Sequence, residues 1–291
     1  MGVAAIADLV TANRPGVFTL LERATEKITA SPYVSHVYVR GSLAAGNADR
    51  LSDLDFVAGV ADERFCDFHN SLDAFMTCEF NALLPGWRDS IVAPMGGVGY
   101  VYLVETAGKL HQLDLYLVPA SRAERIPDQT AACLLYASHD MCGRDRPSQI
   151  KVASLLAEVG RRPRTCVDLL VEALVLLQMV RKRVRRGQHF SAYGEWVMVC
   201  EALRDLVKTS LAPTSDYRGW YRLEEELGVT PIGRACGRGL RDLVTLAAPG
   251  SDTDLAAALD RCLIIADLAA PAAVEELSDA VESYRGYLDL S

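Results

Sequence analysis

The residues best suited to chemistry lie between positions 35 and 60. A β-rich run, SHVYVRG (35–41), delivers Gly41-Ser42; after the spacer 43–51, SDLDF (52–56) opens a second β-rich run, LDFVAGV (54–60). Alternate residues of a strand share a face, so Asp53 and Asp55 point one way and Leu54 and Phe56 the other, toward a core. Two carboxylates a few ångströms apart repel and call for a cation between them. Their hard oxygens suit Mg²⁺, which takes one or two protein carboxylates and leaves positions for substrate phosphates. In HQLDLYLV (111–118), Leu113, Leu115 and Leu117 form one face, and Gln112, Asp114 and Tyr116 the other. If that strand lies beside 53–57, Asp114 joins the pair. Three carboxylates could then hold one or two Mg²⁺ ions, align a triphosphate and lower the pKa of an attacking hydroxyl. Gly41 would let backbone N–H groups approach a phosphate, and the Ser42 hydroxyl would add a donor. The plain alternative is a turn followed by an ordinary strand with a solvent-facing edge.

These residues need a sheet to hold them. Before residue 150, short β-rich runs alternate with helical ones: helix over 15–29, strands at 35–41 and 54–60, helix over 62–77, and strands at 99–105, 109–118 and 133–138. Thr106-Ala107-Gly108 joins two of the strands as a hairpin loop. After 150 nearly every segment has helical periodicity: 164–186 ending at Gly187, then 191–209, 216–227, 232–247, 253–268 and 272–287. The expected architecture is α+β. Residues 1–148 would form a catalytic domain with a mixed β-sheet flanked by helices, and 149–291 an α-helical bundle, with the boundary near Arg144–Gln149.

The run VRGSLAAGNADRLSDLDF (39–56), with HQLDLYLV and a helical second half, resembles the signature of the DNA-polymerase-β-like nucleotidyltransferase superfamily. It is most similar to the aminoglycoside and lincosamide (antibiotic) nucleotidyltransferases. The resemblance spans roughly residues 35–118; beyond that the likeness is only helical character. It implies transfer of a nucleoside monophosphate, usually AMP from ATP, to a hydroxyl with release of pyrophosphate. Asp53, Asp55 and Asp114 would be the catalytic and metal residues, with Asp114 assisting deprotonation. Gly41, Ser42 and Ser52 would belong to the nucleotide site. Two departures stand out. Ala44-Ala45-Gly46 lacks an arginine that many relatives carry, and Arg40 stands where a hydrophobic residue is usual. Arg40 or Arg50 is the candidate replacement for the missing charge.

The helical half offers weaker signals. Arg181, Lys182, Arg183, Arg185 and Arg186 crowd one helix end. They either complement its dipole on a solvated face, or one of them, Lys182, reaches over an interdomain cleft to the triphosphate. Tyr193, Glu195 and Trp196 are the acceptor-binding candidates, because aromatic rings with a carboxylate can hold a hydroxylated or cationic molecule. A core position for the two aromatics is the competing reading. Tyr217, Trp220 and Tyr221 have the spacing of a core stripe on a helix.

Composition narrows the partners. The net charge is −8 and the pI about 5.2, so no general field draws nucleic acid to the chain. A small hydroxylated acceptor, such as an antibiotic or related metabolite, is expected instead. The alternatives are a protein hydroxyl or RNA end as acceptor, or a nucleotide-binding module that has lost catalysis. The eight cysteines include no Cys-x-x-Cys pair and read as reduced, mostly buried thiols. No secretory leader and no membrane span is expected; the reading is a cytoplasmic monomer or homodimer.

Overall fold

The structure is a computed structural model, and it describes residues 18–89, 95–138, 149–160 and 162–288. The chain divides into two units, Met1–Arg162 and Pro163–Ser291. In chain order the first contains α1 (Phe18–Thr29), β1 (Val34–Arg40), α2 (Gly41–Ala45), β2 (Leu54–Val60), a 3₁₀ turn (Asp62–Arg64), α3 (Phe65–Asn70) and α4 (Leu72–Phe80). These are followed by β3 (Trp87–Arg88), β4 (Val98–Thr106), β5 (Lys109–Pro119), α5 (Ala120–Ala123), α6 (Ile126–Gln129), β6 (Ala132–Ala137) and α7 (Gln149–Val159). The fold is α+β, with a mixed sheet in the first unit and helices throughout the second.

Among the described residues six strands lie in the order β3-β4-β5-β2-β1-β6, and of these neighbours only β2 and β5 run parallel; the rest are antiparallel. β2 sits at the centre, and past Asp55 its residues Phe56–Val60 are all buried. A strand flanked on both edges and covered on both faces needs such a near-continuous apolar run. One face of the sheet carries Val37, Val39, Leu54, Phe56, Ala58, Leu113, Leu115 and Leu117, which pack with Leu20, Leu21, Phe65, Met76 and Phe80 from α1, α3 and α4. Leu155, Leu156 and Val159 of α7 lie against the same core. That packing joins α7 to the first unit, so the division falls after Arg162, compared with the 148/149 division expected. Residues 144–148 of the expected boundary lie outside the described residues.

The opposite face has a smaller apolar cluster of Tyr38, Val57, Tyr116, Val118, Ala123, Ile126 and Ala132. α5 and α6 supply two of these, and Asp62 ties them down by accepting from the Ser121 amide (3.1 Å) and hydroxyl (2.8 Å). This explains a buried aspartate outside the site. The cluster covers only part of the face, and the remainder carries charge.

The β4–β5 hairpin differs in detail from its expected form. Thr106 and Lys109 are still paired, so the loop is the two-residue Ala107-Gly108, both at positive φ (54° and 72°). A two-residue turn with both residues left-handed matches the twist of the flanking strands. The helix expected over 62–77 is also interrupted: a 3₁₀ turn leads into α3, and α4 begins after Ser71.

The second unit contains α8 (Cys166–Arg185), α9 (His189–Leu211), α10 (Leu223–Leu227), α11 (Pro231–Thr245), α12 (Asp252–Ala269), α13 (Pro271–Glu276) and α14 (Ser278–Tyr287). A reciprocal capping box starts α8: the Thr165 hydroxyl accepts from the Asp168 amide, and the Asp168 carboxylate accepts from the Thr165 amide at 2.7 Å. The segment expected as helix over 216–227 is helical only from Leu223. Gly219 and Arg222 adopt positive φ (60° and 54°), which a helix cannot accommodate. Tyr217, Trp220 and Tyr221 therefore form no core stripe; they are exposed, with Arg204 over the Trp220 ring and Arg222 over that of Tyr217. No helix among the described residues is long and apolar enough to cross a membrane. Of the described cysteines, which are all free, Cys200, Cys236 and Cys262 are buried, whereas Cys78 is exposed.

Candidate active site

The parallel pairing of β2 with β5 places Asp55 directly opposite Asp114. Each is flanked by buried leucines or phenylalanine facing the other way: Leu54 and Phe56, Leu113 and Leu115. The alternation that buries those apolar side chains thus sends both carboxylates to the other face. Like charges directly opposite one another on neighbouring strands destabilise a sheet.

Burial pushes the Asp55 carboxyl above its usual range; Arg40 pulls it back and Asp89 pushes it further up. Asp114 is raised well above, first by burial and then by the negative charge of Asp55. Gln112, which donates to Asp114 Oδ1 at 2.8 Å, opposes this, as does Arg40, while Asp89 adds to it. The two carboxyls share one field, and each makes the other harder to ionise.

A cation already sits in this field. Arg40, the last residue of β1, places Nη2 3.3 Å from Asp55 Oδ1, with the two side chains only 11% and 16% exposed. The next residue, Gly41, has φ +68°, and a Cβ built there would lie 2.2 Å from Asp55 Oδ2. Its lack of a side chain thus serves two needs, a left-handed backbone and a carboxylate pressed against the main chain. Asp89 completes the charged group. Its amide donates to the Gly99 carbonyl at 2.9 Å, continuing the β3–β4 ladder toward Asp114's strand. A short edge strand of two residues gave no sequence signal for it.

The other candidates fall in differing places. Asp53 is half-buried and lies one residue ahead of the β2–β5 ladder, which begins at Leu54. Among the described residues no three His, Cys, Asp or Glu side chains are grouped so as to hold a metal ion. Asp55 and Asp114 are therefore brought together as a pair, with Asp53 beside the start of the ladder. Ser42 lies in the first turn of α2, half-buried. Ser52 is buried, and its hydroxyl closes a turn, donating to Asp49 Oδ1 (3.0 Å) and accepting from the Asp49 amide (2.8 Å). Arg50 is exposed, so of the two arginines Arg40 is the one in contact with the carboxylates.

In the second unit the arginines of α8 are paired with carboxylates rather than merely opposed to the helix dipole, although Arg185 stays exposed. Arg181 and Arg185 both bind Asp252 (2.9 and 2.7 Å), Arg183 binds Glu195 (2.8 Å), and Lys182 is buried. The three acceptor candidates do not share an open surface. Tyr193 is 62% exposed, Trp196 is 2% exposed and packed in the helical core, and Glu195 is buried in its pair with Arg183. Helical rotation turns Glu195, two residues on, away from Tyr193; Trp196, three residues on, lies on a neighbouring row, and it is packing that buries it while Tyr193 stays outside.

The residues fit a hard divalent cation. Asp55 and Asp114 are paired acceptor groups with the Arg40 guanidinium 3.3 Å from Asp55, and a space that a Cβ would fill leaves Asp55 reachable from Gly41. Two carboxylates are the usual protein share of a Mg²⁺ shell.

The raised carboxyls carry a pH prediction. Both side chains have folded pKa values above their unfolded values, near 3.8. The stability they contribute is fully present below the unfolded pKa and is lost as pH rises through the folded pKa. Wild-type protein without metal is therefore expected to lose stability relative to Asp114→Asn as pH increases from 4 into that range. Thermal unfolding of both proteins across this window checks it; parallel profiles would refute the coupling.

No family model matches the chain, and no curated protein matches it. Among solved structures it is similar to the crystal structure of a nucleotidyltransferase-like protein from Exiguobacterium sibiricum 255-15. That match is 12% identical, covers 92% of this chain and 78% of the other, and has a TM-score of 0.21. A likeness so slight carries no argument; the site rests on the residues above.

Proposed function

We infer that the chain is a divalent-metal-dependent nucleotidyltransferase. It transfers a nucleoside monophosphate, AMP from ATP in the first instance, to a hydroxyl of a small molecule such as an antibiotic or related metabolite. The observation carrying this reading is the in-register opposition of Asp55 and Asp114 on parallel strands, with side-chain-free Gly41 against Asp55. Asp55 and Asp114 would hold Mg²⁺, one ion or two, with Asp53 available beside them; the bound metal would neutralise triphosphate charge and acidify the attacking hydroxyl.

The protein's own groups have definable parts. Asp114, opposite Asp55 in the ladder, is the carboxylate suited to take the proton of the acceptor hydroxyl. Gln112 fixes the orientation of that carboxylate. Gly41 and Ser42 would offer main-chain and hydroxyl donors to phosphate oxygens. Pyrophosphate release is the test, using each of the four NTPs with Mg²⁺ against a panel of hydroxylated acceptors. Release that requires both acceptor and Asp55 is expected, and no release with any pair would overturn the assignment.

A second reading, a nucleotide-binding module without transfer, is favoured by one observation: Arg40 already neutralises Asp55. Calorimetry showing ATP binding without pyrophosphate release would select it. Labelled product on a macromolecule in place of the small acceptor would move the acceptor class to protein or RNA.

A further inference from the structure

The Arg40–Asp55 pair combines a long N···O distance with a buried Nε that has no hydrogen-bond partner among the described residues. Nη2 lies 3.3 Å from Asp55 Oδ1, beyond the roughly 2.7–2.9 Å of a strong charge-assisted hydrogen bond. Arginine is suited to close bidentate contact with a carboxylate, and here the ion pair is already that long. Nε is buried and has no hydrogen-bond partner among the described residues. A buried N–H donor left without an acceptor is costly, so the arrangement stays only while something better is absent. Around it, Asp55, Asp114 and Asp89 all act on the same region. Removing Arg40 from that group would leave adjacent buried carboxylates without their nearest positive charge. The residue is thus held by need for charge, while its geometry is poor enough to give way.

We propose that Arg40 is an exchangeable internal counter-ion: it neutralises Asp55 in the metal-free protein and gives up that carboxylate when a divalent cation binds. This rests on the carboxylate-site reading above. Arg40 stabilises the empty protein and weakens its hold on metal by the same interaction, since any ligand of Asp55 must first displace the guanidinium. Its position supports the exchange. It directly precedes Gly41, whose left-handed backbone turns the chain into α2 beside Asp55. A guanidinium freed there keeps its unused Nε–H for an oxygen of an anionic co-substrate.

The test is a Mn²⁺ titration of the full chain, without nucleotide, followed by electron paramagnetic resonance and calorimetry. Arg40→Gln is expected to bind Mn²⁺ about tenfold more tightly than wild type, and to melt several degrees lower without metal. Arg40→Lys, which keeps the charge, should restore affinity close to wild type. Equal or weaker binding by Arg40→Gln would overturn the exchange while leaving the carboxylate site standing. If neither protein binds Mn²⁺ more tightly than Asp55→Asn, the carboxylate reading itself fails, and the exchange with it. Should Arg40→Gln not fold, the wild-type Arg40 Nε–H resonance, assigned through Arg40→Lys, decides the matter. It should move on addition of Mg²⁺; a fixed resonance at concentrations that shift the Asp55 amide would overturn the proposal.

Discussion

Asp114→Asn is expected to abolish nucleotidyl transfer and, in the same protein, to raise the melting temperature measured without metal. The two effects have one cause. Asp114 and Asp55 face each other across β5 and β2; burial makes both hard to ionise, and at Asp114 the repulsion of Asp55 adds to it. Asparagine keeps the shape and can still accept the amide hydrogen of Gln112, but it removes one of the opposed charges. Relief of that repulsion should stabilise by about 1–2 kcal/mol, as neutralisation of a strained functional group commonly does. Transfer should fall by about a thousandfold or more, since each tenfold corresponds to about 1.4 kcal/mol of lost transition-state stabilisation. Asp55→Asn should match the loss of activity without the gain in stability, because it strips Arg40 of its carboxylate partner and leaves a largely buried cation uncompensated. Scanning calorimetry and pyrophosphate release on the two variants distinguish these outcomes. Substantial activity in either variant would refute the assignment.

Gly41→Ala is expected to be the most damaging small substitution near the site. Alanine at φ +68° pays the left-handed backbone cost, and its Cβ would fall 2.2 Å from Asp55 Oδ2. The first effect amounts to about 1–2 kcal/mol and the second, an overpacking, to about 1–3 kcal/mol, so a loss of about 2–5 kcal/mol follows. Gly46→Ala is the matched control. Gly46 has φ +75° and nothing within 4 Å of its missing Cβ, so it should show the backbone cost alone. Urea midpoints for the two variants, compared at unchanged slope, isolate the contact with Asp55. Equal losses would mean that Asp55 moves aside freely, and the close approach would then have no role.

Several features of this protein were decided locally and are readable along the chain. Leu54 and Phe56 against Asp55, and Leu113, Leu115 and Leu117 against Asp114, set which face each side chain takes, because a strand's two-residue period is a property of its own backbone. The hairpin at Ala107-Gly108 and the capping box at Thr165 likewise depend on residues a few positions apart. The helical character of the second half follows from its apolar period. Where local signals competed, they misled: spacing suited Tyr217, Trp220 and Tyr221 to a helix, but the left-handed backbone at Gly219 and Arg222 breaks it.

Only the tertiary structure decided what meets the carboxylates. Asp55 and Asp114 are 59 positions apart, and their opposition depends on strand order and on a parallel register that no local pattern encodes. Arg40 enters because β1 pairs with β2, and Asp89 because β3 extends the sheet through β4. In the second unit, packing sent Trp196 into the core, tied Glu195 to Arg183 and left Tyr193 outside, though the three are near neighbours on one helix. The period of a strand or helix assigns a side chain to a face. Long-range pairing and packing determine what it finds there, and at Asp55 they supply both the opposing carboxylate and the arginine that answers it.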